Sequence, residues 1–383
     1  MHLKSLRTVQ WRNIEDAEVE FSSQVNLLVG GNGQGKTNLL EAVQYLALGR
    51  SHRGSRDEEI VRFGADHFYV RGVGEGDAGE TFSIEAGFTP PRSKRLKVDQ
   101  QPVARLTDLM GVLACVSFGP EDAELTRGAP QHRRRYVDYA LAETSRASLR
   151  LLAEYRRSLQ QRAAWLRDAR RGDAELERGL AVWDDEQVRL GCEVVLRRAA
   201  ALADLGPRAR ATFAALGGEA PLGQRYAVHA AGRSFDVEGE LDELLEMQRR
   251  GALEAAYRER LRQRRAAERA RGLCLVGPHR DDVELLAAGR NLRRFGSQGQ
   301  CRTAAVALKL AQAEFIAARR QDRPIVVLDD VFAELDETRA GALWEAVRGR
   351  HQTFLAVPRQ GDLDAGQAGA VFRLQAGRVC RER

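Results

Sequence analysis

The chain has 383 residues, of which 43% are hydrophobic and 30% are charged. This length is enough for two or three domains, and the hydrophobic content excludes an intrinsically disordered chain. No stretch reaches about 18 consecutive apolar residues, so the sequence predicts no membrane-spanning helix.

The N-terminus, the cysteines and the net charge further limit the class of protein. The N-terminus lacks a basic start followed by an apolar core, so we expect a chain that is not secreted. The five cysteines form no Cys-x-x-Cys pair, which argues against structural zinc and fits the reducing cytoplasm. A net charge of +6 permits nucleic-acid binding. Nearly all of the positive charge is arginine, however. GC-rich codon usage explains this excess of arginine as well as a role in nucleic-acid binding does.

The first 120 residues alternate short apolar runs with turns, which is the pattern of strands. A predicted helix over Lys36–Leu48 follows a glycine-rich turn. The predicted strands are Leu3–Val9, Val19–Phe21, Val25–Val29, Phe68–Val73, Phe82–Phe88, Arg95–Val98 and Leu113–Phe118. Residues 1–120 therefore read as one half of a mixed α/β domain.

Residues 121–271 are rich in Ala, Leu and Arg at helical spacing. The predicted helices cover 130–143, 146–171, 174–204 and 240–270, with loops or short strands over 217–239. The α/β pattern returns over 272–383, where we predict a helix, a buried strand, a helix and a strand: Gln300–Arg319, Ile325–Leu328, Glu337–Arg348 and Thr353–Val357. The predicted organisation is a helical lobe inserted between two α/β segments.

A phosphate-binding loop follows the third strand. The sequence GGNGQGKT matches G-x-x-x-x-G-K-[ST], and it lies between a strand and a helix as that motif requires. Backbone N–H groups and the helix N-terminus would bind phosphate oxygens, Lys36 would neutralise the β and γ phosphates, and Thr37 would ligate Mg²⁺. The predicted ATP contacts are Gly30, Gly31, Asn32, Gly33, Gln34, Gly35, Lys36, Thr37 and Asn38.

Two acids end the buried strand PIVVLDD. A strand tip of this kind delivers a carboxylate to the metal beside a phosphate loop, so we predict that Asp329 holds Mg²⁺ through the water shell of the ion. We predict that Asp330 polarises the attacking water. With Lys36, these two acids form the predicted catalytic set.

The order of further motifs carries a family resemblance. FGSQGQ precedes the helix before the Asp-Asp strand, and GPHRDD, FGPED, an arginine-containing run from Gly128 to Asp138 and an opening WRN accompany it. Together they resemble the ABC-type ATPase heads that act on DNA, and among them the RecF family of bacterial recombination mediators. The resemblance covers nearly the whole chain, and GPHRDD with FGSQGQ is highly specific.

The resemblance implies an α/β P-loop head assembled from residues 1–120 and 272–383, with a mainly helical lobe over 121–271. It implies ATP-driven homodimerisation, in which the γ-phosphate held by one copy meets the signature segment of the other: Ser297, Gln298, Gly299 and Gln300. It also implies that a loop containing Glu334 and Asp336 crosses the dimer interface. Taken by themselves, Ser297 and Asp336 would simply be helix N-caps.

The functional expectations also come from this resemblance. It implies a weak, DNA-dependent ATPase of the cytoplasm that clamps single-strand/double-strand DNA junctions and works with RecR and RecO in gap repair, replication restart and the SOS response. Two departures stand out: residues 354–358 read FLAVP, without a polar switch residue, and Cys301 follows FGSQGQ.

Weaker candidates and alternatives stay open. Arg12 and Asn13 are expected either to line the nucleotide or simply to form the turn at the end of a strand. Arg53 is expected either to contact the nucleotide held by the other copy or to be an ordinary surface residue. DNA contacts are expected from Arg133, Arg134 and Arg135, or these form a solvated helix face. The alternative functions are a transporter ATPase, a non-hydrolysing nucleotide switch and an SMC-type tether. The separation of roughly 290 residues between Lys36 and Asp329 argues against the transporter.

Overall fold

A computed structural model describes residues 1–91, 93–168, 173–332, 337–358 and 368–382. Among these residues, no helix is both long enough and apolar enough to cross a membrane. The chain divides into two compact units. Unit 1 comprises Met1–Asp122, Ala215–Gly217 and Gln312–Arg383, and unit 2 comprises Ala123–Ala214 and Gly218–Ala311.

Unit 1 contains a six-stranded sheet that is parallel except at one edge. Its three central strands are buried along their whole length and mostly apolar, as expected for strands covered on both faces. Spatially the strands run β16-β15-β3-β14-β13-β8. Their bounds are β3 Val25–Val29, β8 Cys115–Phe118, β13 Ile325–Asp329, β14 Thr353–Val357, β15 Ala370–Gln375 and β16 Arg378–Arg381. The strands β3 and β13, each followed by a predicted site motif, are therefore separated by one strand, β14.

A second, antiparallel sheet in unit 1 has the order β2-β1-β4-β5-β6-β7. Its strands alternate buried and exposed side chains, the pattern of a sheet with one face on the core. The strands are β1 His2–Trp11, β2 Ile14–Glu20, β4 Phe68–Glu75, β5 Thr81–Thr89, β6 Ser93–Val98 and β7 Gln101–Pro102. The unit's helices are α1 Lys36–Leu48, α2 Asp57–Ile60, α3 Leu106–Leu109 and α12 Glu337–Val347, together with the last part of α11 Gln298–Arg320.

Unit 2 is mainly helical and carries a four-stranded sheet of order β10-β9-β11-β12. These strands are β9 Leu222–Val228, β10 Arg233–Asp236, β11 Asp282–Ala287 and β12 Arg290–Asn291. Its helices, besides the first part of α11, are α4 Ala123–Arg127, α5 Pro130–Thr144, α6 Arg146–Arg167, α7 Asp173–Ala215, α8 Leu241–Arg249, α9 Ala252–Arg271 and α10 Leu292–Phe295.

Most predicted elements are confirmed, and β3, α1 and β14 have the predicted ends. The single helix predicted over 240–270 is wrong, because Gly251 adopts a left-handed conformation with φ of 68° and separates α8 from α9. The strands β11, β12, β15 and β16 were not predicted. Residues 272–311 lie in unit 2. The domain boundary predicted at residue 271 stays a prediction.

Candidate functional site

The phosphate loop lies where β3 ends and α1 begins. Gly33 and Gly35 have φ of 75° and 115°, the left-handed region that glycine tolerates best. The first helical hydrogen bond of α1 joins the Leu39 N–H to the Gly35 carbonyl at 2.9 Å. The N–H groups of Lys36 to Asn38 precede it and have no helical acceptor, so they form an anion-binding terminus.

Lys36 points into this loop. Its Nζ donates to the carbonyl oxygens of Gly30 and Gly31 at 2.6 and 3.2 Å, and the residue is only 4% exposed. The ammonium is therefore held at the centre of the loop, where a compact positive charge neutralises phosphate oxygens.

The two predicted metal ligands lie together. Thr37 Oγ1 donates to Asp329 Oδ1 at 3.2 Å, although the two residues are 292 positions apart in the sequence. Burial raises the pKa of Asp329, and the neighbouring charge of Asp330 acts in the same direction. Hydrogen bonding from Thr37 and the charge of Lys36 oppose this rise. A divalent cation at this carboxylate would favour its ionised form.

These groups fit a magnesium ion. The Thr37 hydroxyl and the Asp329 carboxylate are the oxygen donors that Mg²⁺ prefers, and their oxygens lie 3.2 Å apart. Asp330 Oδ1 is buried and has no hydrogen-bond partner among the described residues, so it is an unused acceptor beside the pair. Thr37 and Asp329 would hold the ion, which would supply charge neutralisation at the phosphates.

Arg12 flanks the loop but is committed to protein contacts. Its Nε and one terminal nitrogen bind both oxygens of Glu41 at 2.9 and 2.8 Å. It also donates to the Glu59 carbonyl and to Ser55 Oγ, both at 2.8 Å. Glu41 is fully buried. Burial alone would raise the pKa of Glu41, but hydrogen bonds from Arg12 and Ser51 outweigh burial, and the pKa lies below its usual value.

Asn13 contacts the loop directly, and Arg53 lies nearby. Asn13 Oδ1 accepts a hydrogen bond from Asn38 Nδ2 at 2.8 Å, and its side chain lies where a Cβ on Gly35 would project. Arg53 is 43% exposed on its side chain, 3.6 Å from Glu41 Oε2 and 3.4 Å from Asn38 Oδ1. Asn13 and Asn38 are thus placed to shape the nucleotide site, and Arg53 keeps a loosely held guanidinium at its margin.

Residues 354–357 of the FLAVP segment lie in β14, between the two strands that precede the nucleotide motifs. Ala356 pairs in register with Asp329 on one side and Leu28 on the other. The Val357 carbonyl accepts a hydrogen bond from the Gly30 N–H at 3.3 Å. The position next to Asp329 is therefore occupied by a buried methyl group, as the sequence predicted when it lacked a polar switch residue.

The signature segment lies in unit 2, at the start of α11. Ser297 Oγ accepts from the Gln300 N–H at 3.1 Å, and Gln300 Oε1 accepts from the Ser297 N–H at 3.0 Å. This reciprocal pair is a capping box, so Ser297 caps α11, as the alternative interpretation held, and its contact with a second copy stays a prediction. Gln298 is exposed, and the Gly299 carbonyl accepts from Thr303 Oγ1 at 2.9 Å. Ser297 is itself exposed and remains accessible to a partner.

The predicted interface loop residues, Glu334 and Asp336, lie outside the described residues. Their dimer role stays a prediction.

The GPHRDD segment is part of a buried polar network in unit 2. Asp281 accepts from Tyr226 Oη at 2.5 Å and from the His229 N–H at 2.8 Å. His279 Nδ1 lies 2.8 Å from Tyr155 Oη. Burial lowers the pKa of His279 to about 4. The motif therefore contributes to a buried hydrogen-bond network within the unit.

The three consecutive arginines have different surroundings. Arg133 is buried, binds both oxygens of Asp282 at 2.8 and 2.9 Å, and donates to the carbonyls of Leu125 and Gly128. Arg134 is partly buried and donates to the Asp281 carbonyl at 2.6 Å, whereas Arg135 is exposed. This geometry corrects the expectation for Arg133, whose donors serve the protein rather than DNA. Of the three, Arg135 keeps the open position that a phosphate contact requires.

Sequence reasoning missed two supports of the loop. One is Glu41, a buried acid in the apolar helix α1, whose place in an otherwise apolar run was an available signal. The other is the turn between β15 and β16, where Gly377 donates to the Gln34 carbonyl at 3.0 Å. The signal in the sequence was weak there, because Ala-Gly is not among the dipeptides typical of two-residue hairpin turns.

The chain is similar to known proteins over nearly its whole length. The model of the RecF/RecN/SMC N-terminal domain matches residues 2–363. The DNA replication and repair protein RecF of Heliobacterium modesticaldum is 37% identical over 385 residues, covering 100% of this chain and 99% of that protein. RecF of Symbiobacterium thermophilum is 37% identical over 383 residues, covering 99% and 98%.

Solved structures show the same relationship. The recombination mediator protein RecF with ATP, described within the RecFOR pathway, has a TM-score of 0.88 and 28% identity, with 100% of this chain and 98% of that chain covered. An SMC head bound to the C-terminal winged-helix domain of ScpA has a TM-score of 0.59 and 13% identity over 100% and 97% of the two chains, a likeness of fold alone. With the phosphate loop, the Asp-Asp strand and the SQGQ helix start in one α/β fold, the chain belongs to the RecF family.

Proposed function

We propose that this chain is an ATPase of recombinational DNA repair that binds ATP with Mg²⁺, dimerises on it and hydrolyses it slowly. The observation that carries the proposal is the 3.2 Å contact between Thr37 Oγ1 and Asp329 Oδ1. It brings the hydroxyl of a phosphate loop and the carboxylate of a strand tip to one point, beside the loop that holds Lys36. The ATP-bound RecF structure, at 28% identity over the full chain, supports ATP as the nucleotide.

Each residue of the proposed site has its own role in the chemistry. Lys36 and the amides at the start of α1 bind the phosphates, and Thr37 and Asp329 hold the metal. Asp330 orients and polarises the attacking water through the carboxylate oxygen that has no partner among the described residues. The Asp329–Asp330 pair distinguishes this proposal from a nucleotide switch that never hydrolyses.

The site is completed by a second copy. Ser297 is exposed at a helix N-terminus, where a hydroxyl and free N–H groups favour an anion. We propose that this terminus, with Gln298 to Gln300, meets the γ-phosphate held by the other copy. The predicted loop around Glu334 and Asp336 belongs to the same interface.

The DNA function is proposed from the relatives. Proteins 37% identical over the full chain carry the name DNA replication and repair protein RecF. We propose that the ATP-bound dimer clamps single-strand/double-strand junctions in the cytoplasm and that hydrolysis releases it. The proposed partners are RecR and RecO, and the proposed outcomes are recombinase loading on gaps, replication restart and support of the SOS response.

The test is DNA affinity as a function of nucleotide and salt. Binding of a gapped duplex, measured by fluorescence anisotropy, is expected to require ATP, and log K is expected to fall linearly with log salt as phosphate contacts release counterions. Lys36→Met is the matched control and should bind equally weakly with and without ATP. Equal affinity of the parent chain with ATP, ADP and no nucleotide would overturn the ATP-gated clamp.

A further inference from the structure

The last two described strands of unit 1 are joined by a tight turn. Gln375 and Arg378 pair across β15 and β16, and only Ala376 and Gly377 lie between them. Their φ angles are 47° and 80°. Two positive φ angles in a two-residue hairpin turn are the mark of type I′, the turn whose twist matches paired strands. The turn is therefore a rigid connection with both of its N–H groups in fixed directions.

Both N–H groups point at one residue of the phosphate loop. The Ala376 N–H donates to Gln34 Oε1 at 2.7 Å, and the Gly377 N–H donates to the Gln34 carbonyl at 3.0 Å. The preceding strand also touches the loop, because a Cβ added to Gly30 would lie 2.5 Å from the Leu374 carbonyl oxygen. The hairpin thus meets the loop at its first residue and again at Gln34.

Asn13 fills the space between the turn and the rest of the loop. A Cβ on Gly377 would lie 2.1 Å from the Asn13 carbonyl oxygen, and one on Gly35 would lie 3.0 Å from Asn13 Oδ1. Asn13 is thus in contact with the turn through its main chain and with the loop through its side chain. The contact with the turn leaves no room for a methyl group, and a methyl group on Gly35 would require the Asn13 side chain to shift.

We propose that the Ala376–Gly377 turn is a positioning element of the phosphate loop, with Gln34 and Gly377 as its positioning residues. The inference rests on the proposed nucleotide site. A glycine-rich loop loses much conformational entropy when it becomes ordered. A turn that already fixes Gln34 removes part of that cost before the nucleotide binds, so the loop's N–H groups are set in advance.

The first variant is Gly377→Ala, whose new methyl group cannot fit against the Asn13 main chain. Its matched control is Gly79→Ala, which lies in the same unit and also has positive φ, 92°, but has no other atom within 4 Å of the added Cβ. We expect Gly377→Ala to weaken ATP binding about tenfold, the effect of a lost hydrogen-bonded contact. Gly79→Ala should bind ATP like the parent chain.

A second variant, Gln34→Met, removes the side-chain acceptor and adds nothing to the turn. This variant tests the positioning role of the turn even if Gly377→Ala fails to fold. Because Gln34 and Gly377 act through the same turn, the double variant should bind ATP about as weakly as the weaker single variant, rather than with the product of both losses. A multiplicative loss would show that the two residues act independently and would overturn the proposal.

Hydrogen exchange in nucleotide-free protein separates this inference from the proposed function. We expect amides 30–36 to exchange faster in Gln34→Met than in the parent and in Gly79→Ala. If exchange rises while the parent binds no ATP, the proposed function fails and the positioning role stands. If exchange and ATP affinity both match the Gly79→Ala control, the turn does not position the loop and the inference is wrong.

Discussion

Thr37 Oγ1 lies 3.2 Å from Asp329 Oδ1, and the two strands that bring these atoms together are separated in the sheet by β14 alone. Thr37 follows β3 through the phosphate loop, and Asp329 is the last residue of β13. Because parallel strands end at the same edge of a sheet, side chains that follow them meet there. The topology of one sheet therefore assembles the proposed metal site from residues 292 positions apart.

Lys36→Met should abolish ATP binding and, with it, ATP-driven dimerisation. Methionine has a similar length but lacks the charge that Lys36 places among the loop carbonyls. Isothermal titration calorimetry and gel filtration with ATP measure the two effects. Lys97→Met, which removes a lysine from the antiparallel sheet, is the control and should behave as the parent chain. A Lys36→Met chain that still dimerises with ATP would show that the loop has been assigned wrongly.

Glu41→Gln should lower the free energy of unfolding by about 3 kcal/mol, because breaking a buried ion pair leaves the partner charge uncompensated. The partner is Arg12, whose guanidinium binds both Glu41 oxygens. Urea unfolding of Glu41→Gln, Arg12→Met and the double variant forms a thermodynamic cycle. The double variant should lose less than the sum of the single losses. Additive losses would mean that the two side chains are not coupled.

The fixed spacing of the phosphate-loop motif made the ends of β3 and α1 predictable, since the motif itself requires a strand before it and a helix after it. The strand β13 was predictable because four apolar residues precede the two acids. Neither argument applies to Glu41 and Arg12, which lie 29 residues apart. Their pairing depends on how β1 packs beside α1, and no local pattern encodes that packing.

The three arginines at 133 to 135 show a second limit. They are identical as letters, yet Arg133 is buried against Asp282 while Arg135 is exposed. Successive residues on a helix point in directions about 100° apart, so one arginine can pair internally while its neighbour faces water. A charge run alone does not tell which of its members will meet the core, because that depends on the neighbours of the helix.

Acidification should destabilise the chain partly through His279. Its pKa is about 4 in the folded chain and about 6.5 when unfolded. Between these values the unfolded chain binds the proton more strongly, so stability falls as pH drops from about 6.5 to about 4, by up to about 3 kcal/mol. Asp281, whose pKa burial raises to about 6, contributes with the opposite sign over a similar range.

The comparison of the parent chain with His279→Gln isolates the histidine. Urea unfolding at several pH values should show the variant becoming more stable relative to the parent as pH falls from about 6.5 to about 4. Parallel stability curves for the two proteins would contradict a buried, neutral His279.

Asp330→Asn should bind ATP and dimerise but turn over about 10²–10⁴-fold more slowly, the usual cost of removing a general base. Asp330 has a φ of 53°, a left-handed conformation that asparagine also tolerates, so the backbone should be unaffected. Its DNA complexes should outlive those of the parent, because release would wait for hydrolysis. Steady-state ATPase rates and DNA dissociation rates measure this. Normal turnover would remove Asp330 from the reaction.

The composite site in a dimer is the central claim, and mixing two inactive variants tests it most directly. Lys36→Met removes the phosphate loop's charge, and Ser297→Arg blocks the helix start that meets the other copy's nucleotide. Ser297→Arg alone should still bind ATP as a monomer, because Lys36, Thr37 and Asp329 are untouched, yet it should neither dimerise nor turn over.

In a heterodimer of the two variants, one site combines an intact phosphate loop with an intact Ser297. The ATPase rate of the mixture, measured where heterodimers are shown to form by differential tagging, is therefore the decisive quantity. The composite site predicts that turnover returns in the mixture although each variant alone is inactive. A mixture that contains heterodimers and shows no turnover above the separate variants would contradict it.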